Sequence, residues 1–210
     1  LLKDAVYGLP EVNRDKIKNA QIVANPGCYP TAIQLGLLPL IKNNLIDQSN
    51  IIADVKSGIS GAGKKEDINL LMAESAENFK AYALQGHRHL PEIEENLSSV
   101  TQDKNVKLIF APHLLPIVRG IHATMYVDAI KDFDISESYH KFYDEEPFVD
   151  ILPQGECPET KSVRSSNICR ISFQKQKNSN KIIILSVIDN LVKGAAGQAI
   201  QNMNIMMNYD

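Results

Sequence analysis

The sequence predicts an α+β domain, a mixed β-sheet with helices packed on one face. Three observations carry this. Apolar runs of strand length alternate with stretches of helical spacing, the segment 168–189 reads as a β-hairpin, and the chain ends in an Ala/Gln/Met-rich helical stretch. Strands joined partly by a hairpin and partly by helical crossovers give a mixed sheet rather than a purely doubly wound one.

Taken in order, "QIVAN" (21–25) and "NIIADVK" (50–56) read as short buried strands. Between them residues 31–44 carry apolar side chains at 32, 33, 35, 37, 38, 40 and 41, a helical spacing that Pro39 kinks or ends, so the chain starts in a βαβ-like manner. Residues 66–78 are expected to be helical and "KAYAL" (80–84) extended. Pro91 suits the first position of a helix running through "EIEENLSSV". "VKLIFAP" (106–112) and "HATMYVDA" (122–129) read as strands, "SESYHKFYDEE" (136–146) as a helix opened by a Ser cap, and "FVDIL" (148–152) as a short strand. "ICRISFQKQ" and "KIIILSVID" flank the turn "KNSN", and 191–208 closes the chain as a helix.

Composition narrows the function classes. With 210 residues, 44% hydrophobic and 22% charged, the chain is globular and long enough for one large domain, or one plus part of another. Its net charge of −3 comes from 22 basic and 25 acidic residues spread along the sequence, so no basic stripe forms and nucleic acid is not expected as a partner. Three cysteines, at 28, 157 and 169, form no CxxC pair and suit a reducing compartment, so a cytoplasmic location is expected. No run of about 18 apolar residues exists, and no membrane association is expected. The chain starts without Met and reads as a piece of something longer.

"NPGCYP" (25–30) holds the sharpest chemistry. It stops a strand, bends, and sets Cys28 at the mouth of the next helix, expected to begin near Tyr29–Thr31. There the unpaired N–H groups and the dipole are expected to bring the thiol below its free pKa of about 8.5 and to hold an oxyanion. Gly27 lets a substrate approach, and Pro26 and Pro30 stiffen the flanks. Cys157 and Cys169 read as ordinary packing or surface residues.

A thiol nucleophile needs a proton-transfer partner, and "GHRHLPE" (86–92) offers one. If the stretch before Pro91 is extended, His87 and His89 face one side, with Glu92 placed to orient an imidazole. Read as metal ligands, the pair and a carboxylate make a zinc half-site without a convincing third ligand cluster, so no metal is assigned. His113, His122 and His140 read as packing or surface residues, with His122 the rival base because it lies near Arg119.

"DVKSGISGAGKKED" (54–67) approaches a phosphate-binding loop, but Lys65 stands where Ser or Thr would hold magnesium. What remains is a glycine-rich loop with free N–H groups, suited to an anion or serving as a plain turn. In "DNLVKGAAGQAIQNMN", Gly194 to Gly197 make a small-residue helix start that admits another backbone or a flat ring, and Asn190 is a cap candidate.

Together "YGLPE", "VANPGCYPTA", "DVKSGISGAGK", "GHRHLPEI", "FAPHLLPIVRGIHAT" and "DNLVKGAAGQAIQNMN" resemble the N-acetyl-gamma-glutamyl-phosphate reductase family of the aspartate-semialdehyde dehydrogenase superfamily, over essentially all 210 residues. The resemblance implies a glyceraldehyde-3-phosphate-dehydrogenase-like C-terminal domain with remnants of a Rossmann domain. It also implies reduction of N-acetyl-glutamyl 5-phosphate by NADPH through a Cys28 thioacyl intermediate. Cys28 is then the nucleophile and His89 the acid/base, with His87 and Glu92 beside it. Arg119, Arg88 and Tyr29 are the substrate-binding candidates, Arg119 being preferred over Lys64, Lys161 and Arg164. Ser57, Gly58, Ser60, Gly61, Asn190 and Gly194 would border the cofactor.

The resemblance further implies domains at 1–27 (end of the NADP-binding domain), 28–188 (catalytic and dimerisation) and 189–210 (a helix returning to the first). The expected assembly is a homodimer or homotetramer. No glycine fingerprint precedes "LLKDAVYGLP", so roughly the first third to two fifths of such an enzyme is expected to be missing and the piece inactive alone. Aminoadipyl or aspartyl phosphate substrates and a cysteine acyltransferase or hydrolase are the alternatives.

Overall fold

The computed structural model describes residues 2–63, 66–68, 71–102 and 105–209. After a 3₁₀ turn (Leu2–Asp4), two short parallel strands, β1 (Val6–Tyr7) and β2 (Val23–Ala24), flank helix α1 (Pro10–Lys18). Pro10 suits the start of α1 because the N–H it lacks is one a helix start leaves unpaired. Helix α2 (Cys28–Lys42) and strand β3 (Ile51–Gly58) follow. The expected βαβ start is corrected here. Among the described residues β2 pairs with β1 alone, in a two-stranded sheet, whereas β3 lies inside a separate seven-stranded sheet.

That large sheet contains β3, β4 (Lys80–Ala81), β5 (Leu108–Leu115), β6 (Ile121–Asp128), β7 (Val149–Ile151), β8 (Cys169–Lys175) and β9 (Lys181–Ile188) in the order β4-β5-β3-β6-β9-β8-β7. β3 runs parallel to β5 and antiparallel to β6, and the predicted β8–β9 hairpin is present, so the sheet is mixed and the class is α+β. Period-two alternation sorts its faces. Ile51, Ala53 and Val55 are buried at 1% exposure or less, under α2. On the opposite face Ile52, Ile109 and Tyr126, neighbours in register, remain 38%, 64% and 37% exposed.

Helix α2 lies against β6 and β9 and is flanked by α4 (His89–Ser99) and α5 (Ile135–Tyr143). Every residue from Tyr29 to Ile41 is buried, which its nearly all-apolar sequence permits. Gly36 lets it approach β6, since a Cβ there would lie 2.4 Å from Met125 Cε. Pro39 does not end α2, which runs on to Lys42. Pro39 cannot donate to the Leu35 carbonyl, and the Tyr143 hydroxyl does so instead at 2.6 Å.

Three further expectations are corrected. The N-cap of α5 is Asp134, whose carboxylate accepts from the Glu137 N–H, not a serine. Over 66–78 the described helix is one turn, α3 (Met72–Ser75), with 69 and 70 outside the described residues. The segment 191–208 is a π-helical turn (Val192–Ala196) followed by α6 (Gly197–Met207). No described helix is long and apolar enough to cross a membrane.

Candidate active site

Cys28 is the first residue of α2, and Gly27, extended at φ −68° and ψ 160°, is its N-cap. The glycine is required by its neighbour, because a Cβ on Gly27 would lie 2.6 Å from His89 Nε2. The imidazole therefore sits directly against the residue preceding the thiol. From the other side the π-helical turn brings Gly194 onto Cys28, where a Cβ would lie 2.7 Å from Cys28 Cβ. π-turns are frequent at functional sites.

The thiol is not acidified. Burial pushes Cys28 up from its ordinary value, while the Tyr29 and Cys28 backbone amides and the Arg88 charge pull it down, and burial prevails. The helix N-terminus does face the sulfur, as the sequence suggested, but desolvation outweighs it. The other half of the pair is shifted in the opposite direction. Burial, and then the charges of His87 and Arg88, lower His89 to about 4, so its ring is neutral near pH 7. Its Nδ1 is buried without a hydrogen-bond partner among the described residues.

The two histidines come together by a route other than an extended strand. Arg88 is already helical, α4 begins at His89, and Pro91 is its third residue. The His89 N–H donates to His87 Nδ1 at 3.1 Å, so that nitrogen carries a lone pair and the ring proton sits on Nε2 when His87 is neutral. Burial also lowers the His87 pKa. The rings lie 4.9 Å apart between centroids. Tyr29 stands edge-on to both, at 5.4 and 5.9 Å, and shares a 2.6 Å hydrogen bond with the Tyr82 hydroxyl. Only 3% exposed, Tyr29 supports the histidines from beneath.

Glu92 does not orient an imidazole. Its Oε1 accepts from the Tyr7 hydroxyl at 2.8 Å and from the Gly27 N–H at 2.9 Å, fixing the turn ahead of Cys28. A cavity of about 480 Å³ opens beside the histidines, with Ser57, Gly58, Gly61, Tyr82, His87 and Arg88 in its wall. Ser60 follows in the 3₁₀ turn Ile59–Ala62. Asn190 donates to Ser60 Oγ at 3.0 Å and accepts from the Gly120 N–H at 2.7 Å, so both ends of its amide are engaged. Lys64 and Lys65 lie outside the described residues.

The remaining candidates have other partners or neighbours. Arg119 donates to Asp189, whose side chain is fully buried, at 3.4 Å. His122 lies on the uncovered face of β6 beside Lys56, away from the face that α2 covers. His113 on the same face contacts Asp54 at 3.1 Å and stacks on Phe79. His140 is exposed and pairs with Asp144. Among the described residues no group of three His, Cys, Asp or Glu is placed to hold a metal ion. Sequence reasoning missed Tyr7, Tyr82 and Asp189. Only Asp189 left a signal, an acidic residue ending an otherwise apolar strand just before the Asn190 cap.

The model of the semialdehyde dehydrogenase dimerisation domain matches residues 28–190. The chain is 58% identical over 206 residues to N-acetyl-gamma-glutamyl-phosphate reductase of Nitrosomonas eutropha, covering 98% of this chain and 60% of that protein. The reductase of Aromatoleum aromaticum is 56% identical over 210 residues, covering 100% and 61%. The chain thus spans about 60% of the length of these relatives. In fold it is similar to the crystal structure of aspartate semialdehyde dehydrogenase II from Vibrio cholerae, with a TM-score of 0.77 at 17% identity over 98% of this chain and 69% of that one. The Candida albicans aspartate semialdehyde dehydrogenase with NADP gives 0.69 at 12% identity, covering 97% of this chain and 67% of that one.

Proposed function

The chain belongs to the semialdehyde dehydrogenase family, and on that premise we propose that it carries the catalytic part of an arginine-biosynthesis enzyme. That enzyme reduces N-acetyl-L-glutamyl 5-phosphate to N-acetyl-L-glutamate 5-semialdehyde with NADPH and releases phosphate. The observation supporting this best is Cys28 at the first turn of α2, flanked by the His89 ring across Gly27 and by Gly194. The names of the relatives supply the acyl group.

The chemistry follows from the placement of His89 beside the turn that carries Cys28. His89, neutral at pH 7, takes the Cys28 proton as sulfur attacks the acyl carbon, and hands it to the departing phosphate, leaving a thioacyl ester on Cys28. The Cys28 and Tyr29 amides hold the developing oxyanion. NADPH, when bound, supplies the hydride that reduces the ester carbon. A second proton, drawn from solvent through His89, reaches the sulfur as the aldehyde leaves. Arg88, in the cavity wall beside His87, pairs an anionic group of the substrate.

Ser57, Gly58, Ser60, Gly61, Asn190 and Gly194 are proposed to border the cofactor, and they fit this unevenly. Ser60 Oγ accepts from Asn190 and keeps its own proton to donate. The space beside Gly194 is taken by Cys28, so its part is to admit the nucleophile. Residues 1–27 are read as the end of the NADP-binding domain, 28–188 as the catalytic and dimerisation domain, and 189–210 as a helix returning to the first. The packing of α6 on α1 supports that return. The exposed Ile52, Ile109 and Tyr126 on the uncovered sheet face suit a homodimer or homotetramer, and a cytoplasmic location accords with biosynthetic work.

The test is phosphate-dependent reduction of NADP by the full-length enzyme with N-acetyl-glutamate semialdehyde. Unchanged turnover in Cys28→Ser refutes the nucleophile. Preference for an aspartyl or aminoadipyl semialdehyde moves the substrate, and NADP-independent hydrolysis favours an acyl-transfer enzyme.

A further inference from the structure

A second cavity, of about 290 Å³, is lined by Ile117, Val118, Arg119, Thr160, Lys161 and Arg164. Among the described residues its lining carries three positive charges and no negative one. Arg119 is anchored behind on Asp189. Lys161 and Arg164 are exposed and meet no carboxylate within ion-pair distance among the described residues. Three cations gathered in a concave site against a single buried carboxylate leave a net positive charge that favours an anionic guest.

The walls are held by specific contacts. Gly120, at φ 118°, fits the turn against Thr160, whose Cβ lies 2.8 Å from where a Gly120 Cβ would be. Asp189 Oδ2 accepts from Arg119 and, at 2.7 Å, from the N–H of Ser165, a residue held at φ 61°. One buried carboxylate therefore fixes Arg119 and the residue following Arg164 together. Asp189 also reaches the nucleophile, since its backbone carbonyl accepts from the Gly194 N–H at 3.0 Å and Gly194 abuts Cys28.

The two cavities share a wall. The N–H groups of Gly58, Ile59 and Ser60 donate to the carbonyls of Gly120, Ile117 and Val118, at 2.9, 2.9 and 3.1 Å. The loop lining the first cavity is thus bonded to the turn lining the second.

We propose that this second cavity binds a small oxyanion, a carboxylate or a phosphate, through Arg119, Lys161 and Arg164, with the Thr160 hydroxyl as a further donor. The inference rests on the reaction proposed above, whose substrate bears both groups while the cavity beside His87 offers Arg88 to one of them. The bidentate fork of an arginine suits either.

The test is the variant Lys161→Met/Arg164→Met in the full-length enzyme, assayed with the semialdehyde, NADP and inorganic phosphate. Neither side chain has an ion-pair partner among the described residues, so the melting temperature is expected to hold. A carboxylate site raises KM for the semialdehyde about tenfold or more, and a phosphate site raises KM for inorganic phosphate instead, with kcat little changed. Calorimetric titration of both proteins with N-acetyl-glutamate and with inorganic phosphate reads the site without turnover. Weaker binding of one ligand by the variant supports the site even where the wild type does not oxidise the semialdehyde, an outcome that removes the proposed reaction alone. Unchanged KM values together with unchanged titrations overturn the proposal.

Discussion

The Tyr143 hydroxyl donates at 2.6 Å to the Leu35 carbonyl, the oxygen that Pro39 leaves without its helical donor. Tyr139 serves the next carbonyl, of Gly36, at 2.5 Å. α5 therefore completes the hydrogen bonding of α2 from outside. Tyr143→Phe leaves a buried carbonyl unpaired and is expected to cost about 1–3 kcal/mol in urea unfolding. In a Pro39→Ala background, where position 39 regains an N–H for that carbonyl, the same change is expected to cost less.

Lys193 and Glu11 form a 2.7 Å ion pair with both side chains fully buried, and Gln201 accepts a second bond from the ammonium at 2.9 Å. Lys193→Met strands the Glu11 carboxylate and is expected to destabilise by about 3–5 kcal/mol, as read from the denaturation midpoint. The double change with Glu11→Leu is expected to recover much of that loss, because an apolar pair needs no charge compensation.

Gly194→Ala is predicted to lower turnover before it lowers solubility. The added methyl would lie 2.7 Å from Cys28 Cβ and 3.2 Å from Ile188 Cδ1, which forces the nucleophile or the π-turn to shift. Overpacking of this kind costs about 1–3 kcal/mol. The measurement is kcat beside the rate of Cys28 alkylation, both of which should fall.

The histidines set the acid sensitivity. His89 is held at about 4, and burial lowers His87 and His122 as well. The unfolded chain therefore takes up protons that the folded chain refuses. Stability is unaffected by these groups above about pH 7 and falls as pH drops from about 6.5 toward 4. The urea midpoint should decline over that window, and His89→Asn should flatten the decline. The raised thiol acts at the other end, with alkylation of Cys28 still climbing above the free-thiol value of about 8.5.

Legibility in the sequence followed the range of the interactions. The β8–β9 hairpin, α2 and the mixed sheet were readable because period and turn residues are local signals. Cys28 and the histidine pair were found because proline and glycine mark their turns. The sign of the thiol pKa was misread, since helix-end amides are visible in "PGCYP" whereas burial depends on Gly194, over 160 positions away. Glu92 was assigned to the wrong partner for the same reason, as its bonds to Tyr7 and Gly27 cross 85 and 65 residues. The cap of α5 went to Asp134 because its carboxylate reaches the Glu137 N–H, a choice between adjacent polar residues that spacing does not decide.

The proline after Tyr29 and the carboxylate of Glu92 together ration the donors at the head of α2. Pro30 has no N–H, and the Gly27 N–H is occupied by Glu92, which leaves the amides of Cys28 and Tyr29 facing the sulfur. In the proposed reaction the same two amides serve two centres in succession, the sulfur as His89 draws off its proton and the acyl oxygen once the carbon–sulfur bond has formed. As sulfur becomes bonded to carbon its negative charge vanishes and its claim on the amides lapses. The site then passes its stabilisation from nucleophile to intermediate without recruiting a new group, and the reaction coordinate runs along a fixed pair of dipoles.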